Sequence, residues 1–161
     1  MQPTKQQMQL LDKVSTAIHE AGHLTVALAL NIECEASARL VPNDHTKNWM
    51  EERYWTGTTR ALFMTSVVAV AGAVADYWRD DPGVEAWQID DYLDEALDEL
   101  SPSDVAQFPS PGKRPRAVAR ALALLRNHKR FFEWAVVELV VCEEINEDDA
   151  AEQFLISLEV G

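Results

Sequence analysis

The chain has 161 residues, 47% hydrophobic and 25% charged, the balance of a folded domain rather than a disordered tract. Its 14 Lys and Arg stand against 27 Asp and Glu, a net charge of −13, so a phosphate backbone is repelled on average and no nucleic-acid partner is expected. The longest apolar stretch, Ala61 to Val74, is interrupted by Thr65, Ser66 and Gly72 and is too short to span a bilayer, which predicts core rather than membrane.

From about Thr4 to Leu30, Leu11, Val14, Ile18, Ala21, Leu24 and Leu28 recur at helical spacing, and no proline follows Pro3. Ala36 to Val41 alternates as a strand does, with turn chemistry in Pro42, Asn43 and Asp44. Arg53 to Thr56 returns as a second strand ending before Gly57. An apolar helix is expected over about Thr59 to Trp78, stopped by Asp80, Asp81, Pro82 and Gly83. A third helix, about Val84 to Leu100, sets Trp87, Tyr92, Leu93, Leu97 and Leu100 against many carboxylates. Ser101, with Pro102 after it, has the chemistry of a helix start. Phe108 to Pro115 reads as a loop, followed by helices over about Arg116 to Asn127 and Lys129 to Glu143. A last helix opens at Asn146, with Glu147, Asp148 and Asp149 where the helix dipole favours them. The fold class that follows is mostly α (α+β), one compact helical domain over residues 1–161 with a short β-ribbon.

Charge is distributed unevenly. Asp76 to Asp104 holds eleven acidic residues and one basic residue, Arg79, whereas Lys113 to Arg130 is basic. The basic run is expected to face the acidic one or to be solvated. Cys34 and Cys142 make no disulfide framework and are expected as buried free thiols. The opening residues carry no apolar leader, which with the thiols predicts a cytoplasmic protein. The five tryptophans, Trp49, Trp55, Trp78, Trp87 and Trp134, are expected in the core or lining a groove.

The residues that carry chemistry are His19-Glu20-Ala21-Gly22-His23. Histidines four apart share one helix face, so both imidazoles can reach one metal ion. Glu20, one residue after the first, projects beside the site and can hold a water without closing the metal's open position. Gly22 costs about 1 kcal/mol relative to alanine inside a helix, so it calls for a packing or functional reason.

The segment Thr16 to His23 resembles the peptidase domain of the FtsH family of zinc metallopeptidases, whose motif is likewise HEAGH. Ala71 to Asp76 is similar to that family's small-residue helix. Ser101 to Ala106 is similar to its downstream segment, where an aspartate at a helix start is the third zinc ligand. The resemblance spans roughly Ser15 to Gln107. It implies that His19, His23 and Asp104 bind Zn2+ and that Asp76 orients a histidine from behind. The family's ATPase module and membrane anchor have no counterpart here, and the acidic stretch lengthens the spacing before Asp104, which suggests a stand-alone, ATP-independent relative.

At a helix start Asp104 is equally suited to a favourable first-turn charge, and Asp76, Asp90, Asp91, His45 and His128 are its rivals as ligand. His45 follows a turn, and His128 is expected to cap a helix. The mechanism to test is zinc-dependent peptide hydrolysis with Glu20 as general base, acting on flexible or unfolded polypeptides. Ala38, Arg39 and Leu40 are expected to form an edge strand to which a substrate adds. The alternative is a metal-binding interaction module without turnover, and a homo-oligomer is compatible with either.

Overall fold

Thr4 starts the first helix through both halves of a capping box: its hydroxyl accepts the Gln7 N–H, and the Gln7 side chain accepts the Thr4 N–H. Helix α1 then runs Lys5–Leu30. The computed structural model describes residues 2–43, 53–96 and 108–159. After α1 come strands β1 (Ala36–Pro42) and β2 (Trp55–Ala61), then helices α2 (Ser66–Asp80), α3 (Ala86–Ala96), α4 (Arg114–Asn127) and α5 (Lys129–Cys142). Strand β3 (Glu144–Ile145) and helix α6 (Glu147–Glu159) complete the order. The fold is mostly helical, with a small antiparallel sheet in the order β2-β1-β3.

Within β1, Ala36, Ala38 and Leu40 are buried, so one face of the sheet lies on the helices. Ala17, Leu24 and Leu28 of α1 share one core with this face, with Val70 and Val74 of α2 and with Val118 and Leu125 of α4. Phe131, Leu139 and Phe154 extend this core through α5 and α6. Each large apolar side chain buried there contributes on the order of 1.5–3 kcal/mol. Gly22 supplies the closest approach: a Cβ there would lie 2.6 Å from Ala75 Cβ and 2.7 Å from the Ala71 carbonyl oxygen. The helix-propensity cost of that glycine is thus offset by intimate packing of α1 on α2.

Several boundaries differ from those expected. Residues 59–61 belong to β2, which pairs with β1 through Ala61, and α2 starts later, where the Thr65 hydroxyl accepts the Val68 N–H. Gly57 therefore lies inside a strand, opposite Leu40. Strand β3 is too short to leave a periodic signal. Helix α4 begins at Arg114, with Pro115 in its first turn. Arg114 is buried, and its guanidinium donates to Asp90 at 2.6 Å and Asp94 at 2.5 Å on α3, so part of the basic run does face the acidic one. Trp87 is exposed, as is Cys142 at the end of α5, whereas Cys34 is buried. Among the described residues no helix is long and apolar enough to cross a membrane.

Candidate metal centre

Asp12 ties the start of β2 to α1: one of its carboxylate oxygens accepts the N–H groups of Tyr54 and Trp55, both at 2.8 Å. Two turns further along α1, His19, Glu20 and His23 face a cleft of about 600 Å³ between β2 and α2. The polar wall comes from Thr56 to Thr59, and the opposite wall from Met64, Ala69, Ala73, Asp76 and Phe108.

The two imidazoles converge. Nε2 of His19 and Nε2 of His23 are 3.2 Å apart. His19 Nδ1 lies 2.8 Å from Asp76 Oδ2, and His23 Nδ1 lies 2.6 Å from the Val68 carbonyl oxygen. A carboxylate and a backbone carbonyl only accept, so each ring carries its hydrogen on Nδ1 and turns the Nε2 lone pair toward the other. Two lone pairs at that distance repel unless a proton or a metal ion sits between them. With metal–nitrogen bonds of about 2.0–2.1 Å, nitrogens 3.2 Å apart subtend about 100–106° at a shared ion, near the tetrahedral angle. Gly72 keeps that space open, since a Cβ there would stand 2.5 Å from both Nε2 atoms. The donor set therefore fits a divalent ion with two imidazole ligands. Among the described residues no group of three His, Cys, Asp or Glu converges on one point, and Asp104 and its rival His45 lie outside the described residues.

Burial pulls the His19 pKa down, but the hydrogen bond and charge of Asp76, helped by the charge of Glu20, outweigh it, and the net movement is upward; Arg53 opposes them. Glu20 is itself buried, with 6% of its surface exposed, and the Thr59 hydroxyl donates to its Oε2 at 2.5 Å. Gly57 lies flat against the Glu20 side chain, where any Cβ would collide with Cγ. Gly57 and Thr59 thus form a seat that fixes the carboxylate beside the imidazole pair.

Ala38, Arg39 and Leu40 do not form a sheet edge. Strand β1 is central: Ala38 pairs with Thr59 on one side and Ile145 on the other, and the Leu40 N–H donates to the Glu143 carbonyl. Strand β3, two residues long and without a period, supplies the second neighbour. The open edge belongs to β2. Hydrogen bonds from Asn43 to Tyr54 and from Leu62 to Glu35 set the alternation, so the N–H and C=O groups of Gly57, Thr59 and Ala61 point away from β1. Among the described residues no hydrogen bond fills that edge at these three positions.

The other described ligand candidates do not join the two imidazoles in a group of three. Asp76 stands behind His19, Asp90 holds Arg114, and Asp91 is exposed on α3. His128 lies between α4 and α5, makes no side-chain cap, and packs its ring 5.0 Å from that of Phe154. Of the tryptophans, Trp78 is buried beside Phe132, and Trp55 lies under the Lys13 ammonium. Trp134 contacts Phe131 and Trp49 lies outside the described residues. Thr59, Gly57 and Gly72 escaped the sequence reading, although Gly57 and Thr59, two apart in a strand, necessarily share a face. No family model matches the chain, and no curated protein or solved structure is significantly similar to it, so the geometry of these residues carries the functional reading.

Proposed function

We propose that this chain is a metal-dependent peptide hydrolase, with Zn2+ held by His19 and His23 and with Asp104 as the third ligand. The observation that carries the reading is the pair of Nε2 atoms 3.2 Å apart, each backed by an acceptor on its Nδ1, with the Glu20 carboxylate buried alongside. Two imidazoles and a carboxylate suit zinc better than the harder divalent ions. Bound there, the ion supplies Lewis acidity that activates water and stabilises negative charge on the substrate carbonyl.

The chain's own residues do the rest. Asp76 fixes the His19 ring and raises its basicity as a ligand. Glu20 accepts the proton of the attacking water and returns it to the departing amine, while Thr59 keeps the carboxylate from rotating away. An extended peptide adds to the outer edge of β2, where Gly57, Thr59 and Ala61 offer backbone donors and acceptors beside Glu20. Edge pairing needs an extended guest, which favours flexible or unfolded chains as substrates.

The test compares wild-type and Glu20→Gln protein for zinc content and for cleavage of a broad peptide library. One zinc per chain in both, with cleavage in the wild type alone, is expected. Cleavage that survives the substitution removes Glu20 from its role, and zinc without any Glu20-dependent cleavage identifies a metal-binding interaction module.

A further inference from the structure

The three elements around the cleft have a common axis. Along α1, Asp12 meets Tyr54 and Trp55 while Glu20 meets Gly57 and Thr59, so α1 and β2 run in the same direction. Helix α2 runs the other way, with Val68 at His23 and Asp76 at His19. The turn joining β2 to α2 therefore lies at the His23 end. The opposite end is polar, with Arg53 donating to the Thr16 hydroxyl and facing Asp12.

That turn is unusual in what it exposes. Leu62, Phe63 and Met64 are consecutive and are 62%, 60% and 42% exposed, and Met64 also lines the cleft. Large apolar side chains side by side in water mark a contact surface rather than scattered exposure. The surface continues the edge of β2, whose outward N–H and C=O groups make no hydrogen bond among the described residues and are complemented by another extended backbone. Its occupant is thus a peptide strand, and one added antiparallel to β2 carries its N-terminal half over the turn.

We propose that Leu62, Phe63 and Met64 form an apolar docking rim that selects peptides with large apolar side chains N-terminal to the bond held at Glu20. This rests on the hydrolase reading for the position of that bond, but the rim itself is a binding surface and is measurable without turnover.

The experiment uses full-length Glu20→Gln protein and fluorescently labelled extended peptides in three forms: Phe and Leu in the N-terminal half, the same residues in the C-terminal half, and Ser and Gln throughout. Anisotropy titration should show the first peptide binding about tenfold or more tightly than the other two, as burial of one or two apolar side chains requires. Replacing the rim (L62S, F63S and M64S together) should erase that difference and leave binding of the polar peptide unchanged. The single variant Phe63→Lys should weaken it in the same sense. Equal affinities, a preference for the C-terminal placement, or a preference that survives both variants overturns the proposal. So does a dimer in sedimentation that dissolves on rim substitution without any peptide preference, which assigns the surface to a second copy of the chain. Preference retained without Glu20-dependent cleavage in the wild type sinks the hydrolase alone; cleavage without preference sinks the rim alone.

Discussion

Gly72 faces the His19 imidazole with no room for a methyl group, since a Cβ would stand 2.5 Å from Nε2. By helix propensity alone, Gly72→Ala stabilises α2 by about 1 kcal/mol. Here the methyl displaces the two rings, which swing away because they terminate rotatable side chains. Zinc affinity should fall at least about tenfold while the metal-free protein keeps its fold. Competition with a fluorescent chelator, alongside thermal melts, measures both. Stoichiometric zinc held as tightly as in the wild type would sink the shared-ion geometry.

The 2.5 Å hydrogen bond from Thr59 to Glu20 gives a second expectation. Thr59→Val keeps the shape and removes the donor, so kcat should drop by about tenfold or more with KM little changed. Thr59→Ser, which keeps the hydroxyl, should restore most of the rate. If valine and serine behave alike, the hydroxyl does not position the carboxylate.

Arg114 is the buried cation of the α3–α4 contact, with 3% of its side chain exposed and two carboxylate partners. Arg114→Ala leaves Asp90, itself mostly covered, without its partner. A loss of about 2–3 kcal/mol is expected, at the low end for a broken buried pair because Asp94 stays well solvated. Urea unfolding reads it directly, and zinc content should not change.

Burial lowers the His128 pKa. The unfolded chain, with histidine near its ordinary value of about 6.5, then takes up the proton first, so this group's contribution is complete above that pH and is lost as pH falls below it. His19 acts in the opposite sense in the metal-free protein: its raised pKa gives stability that is full below about 6.5 and disappears as pH rises through the folded value. His128→Gln leaves His19 in place, so the difference between the two proteins isolates His128. Urea midpoints should fall less steeply on acidification in the variant, and identical pH profiles would contradict this.

The elements with long periodic patterns were legible in advance. Helix α1 and its HEAGH motif, the α2 core face and the acidic first turn of α6 all follow from spacing and charge that local physics enforces. The sheet order was not. It depends on Glu144 and Ile145, two residues with no period, which convert β1 from edge to centre and move the open edge to β2. The seat of Glu20 was likewise hidden, because Thr59 meets it from 39 positions away and only the Ala38–Thr59 register brings it there. Asp76 faces His19 from 57 positions away, and nothing in its sequence neighbours says that it will.

Gly22 against the Ala71 carbonyl and Ala75 Cβ holds α1 close to α2 beside the residues that shape one side of the cleft. That side cannot be widened without separating the helices. On the proposed reading, changes in peptide preference therefore fall to the opposite wall and the turn, at positions such as Thr56, Thr58 and Leu62 to Met64, because Gly57 and Thr59 are held in place by the Glu20 side chain.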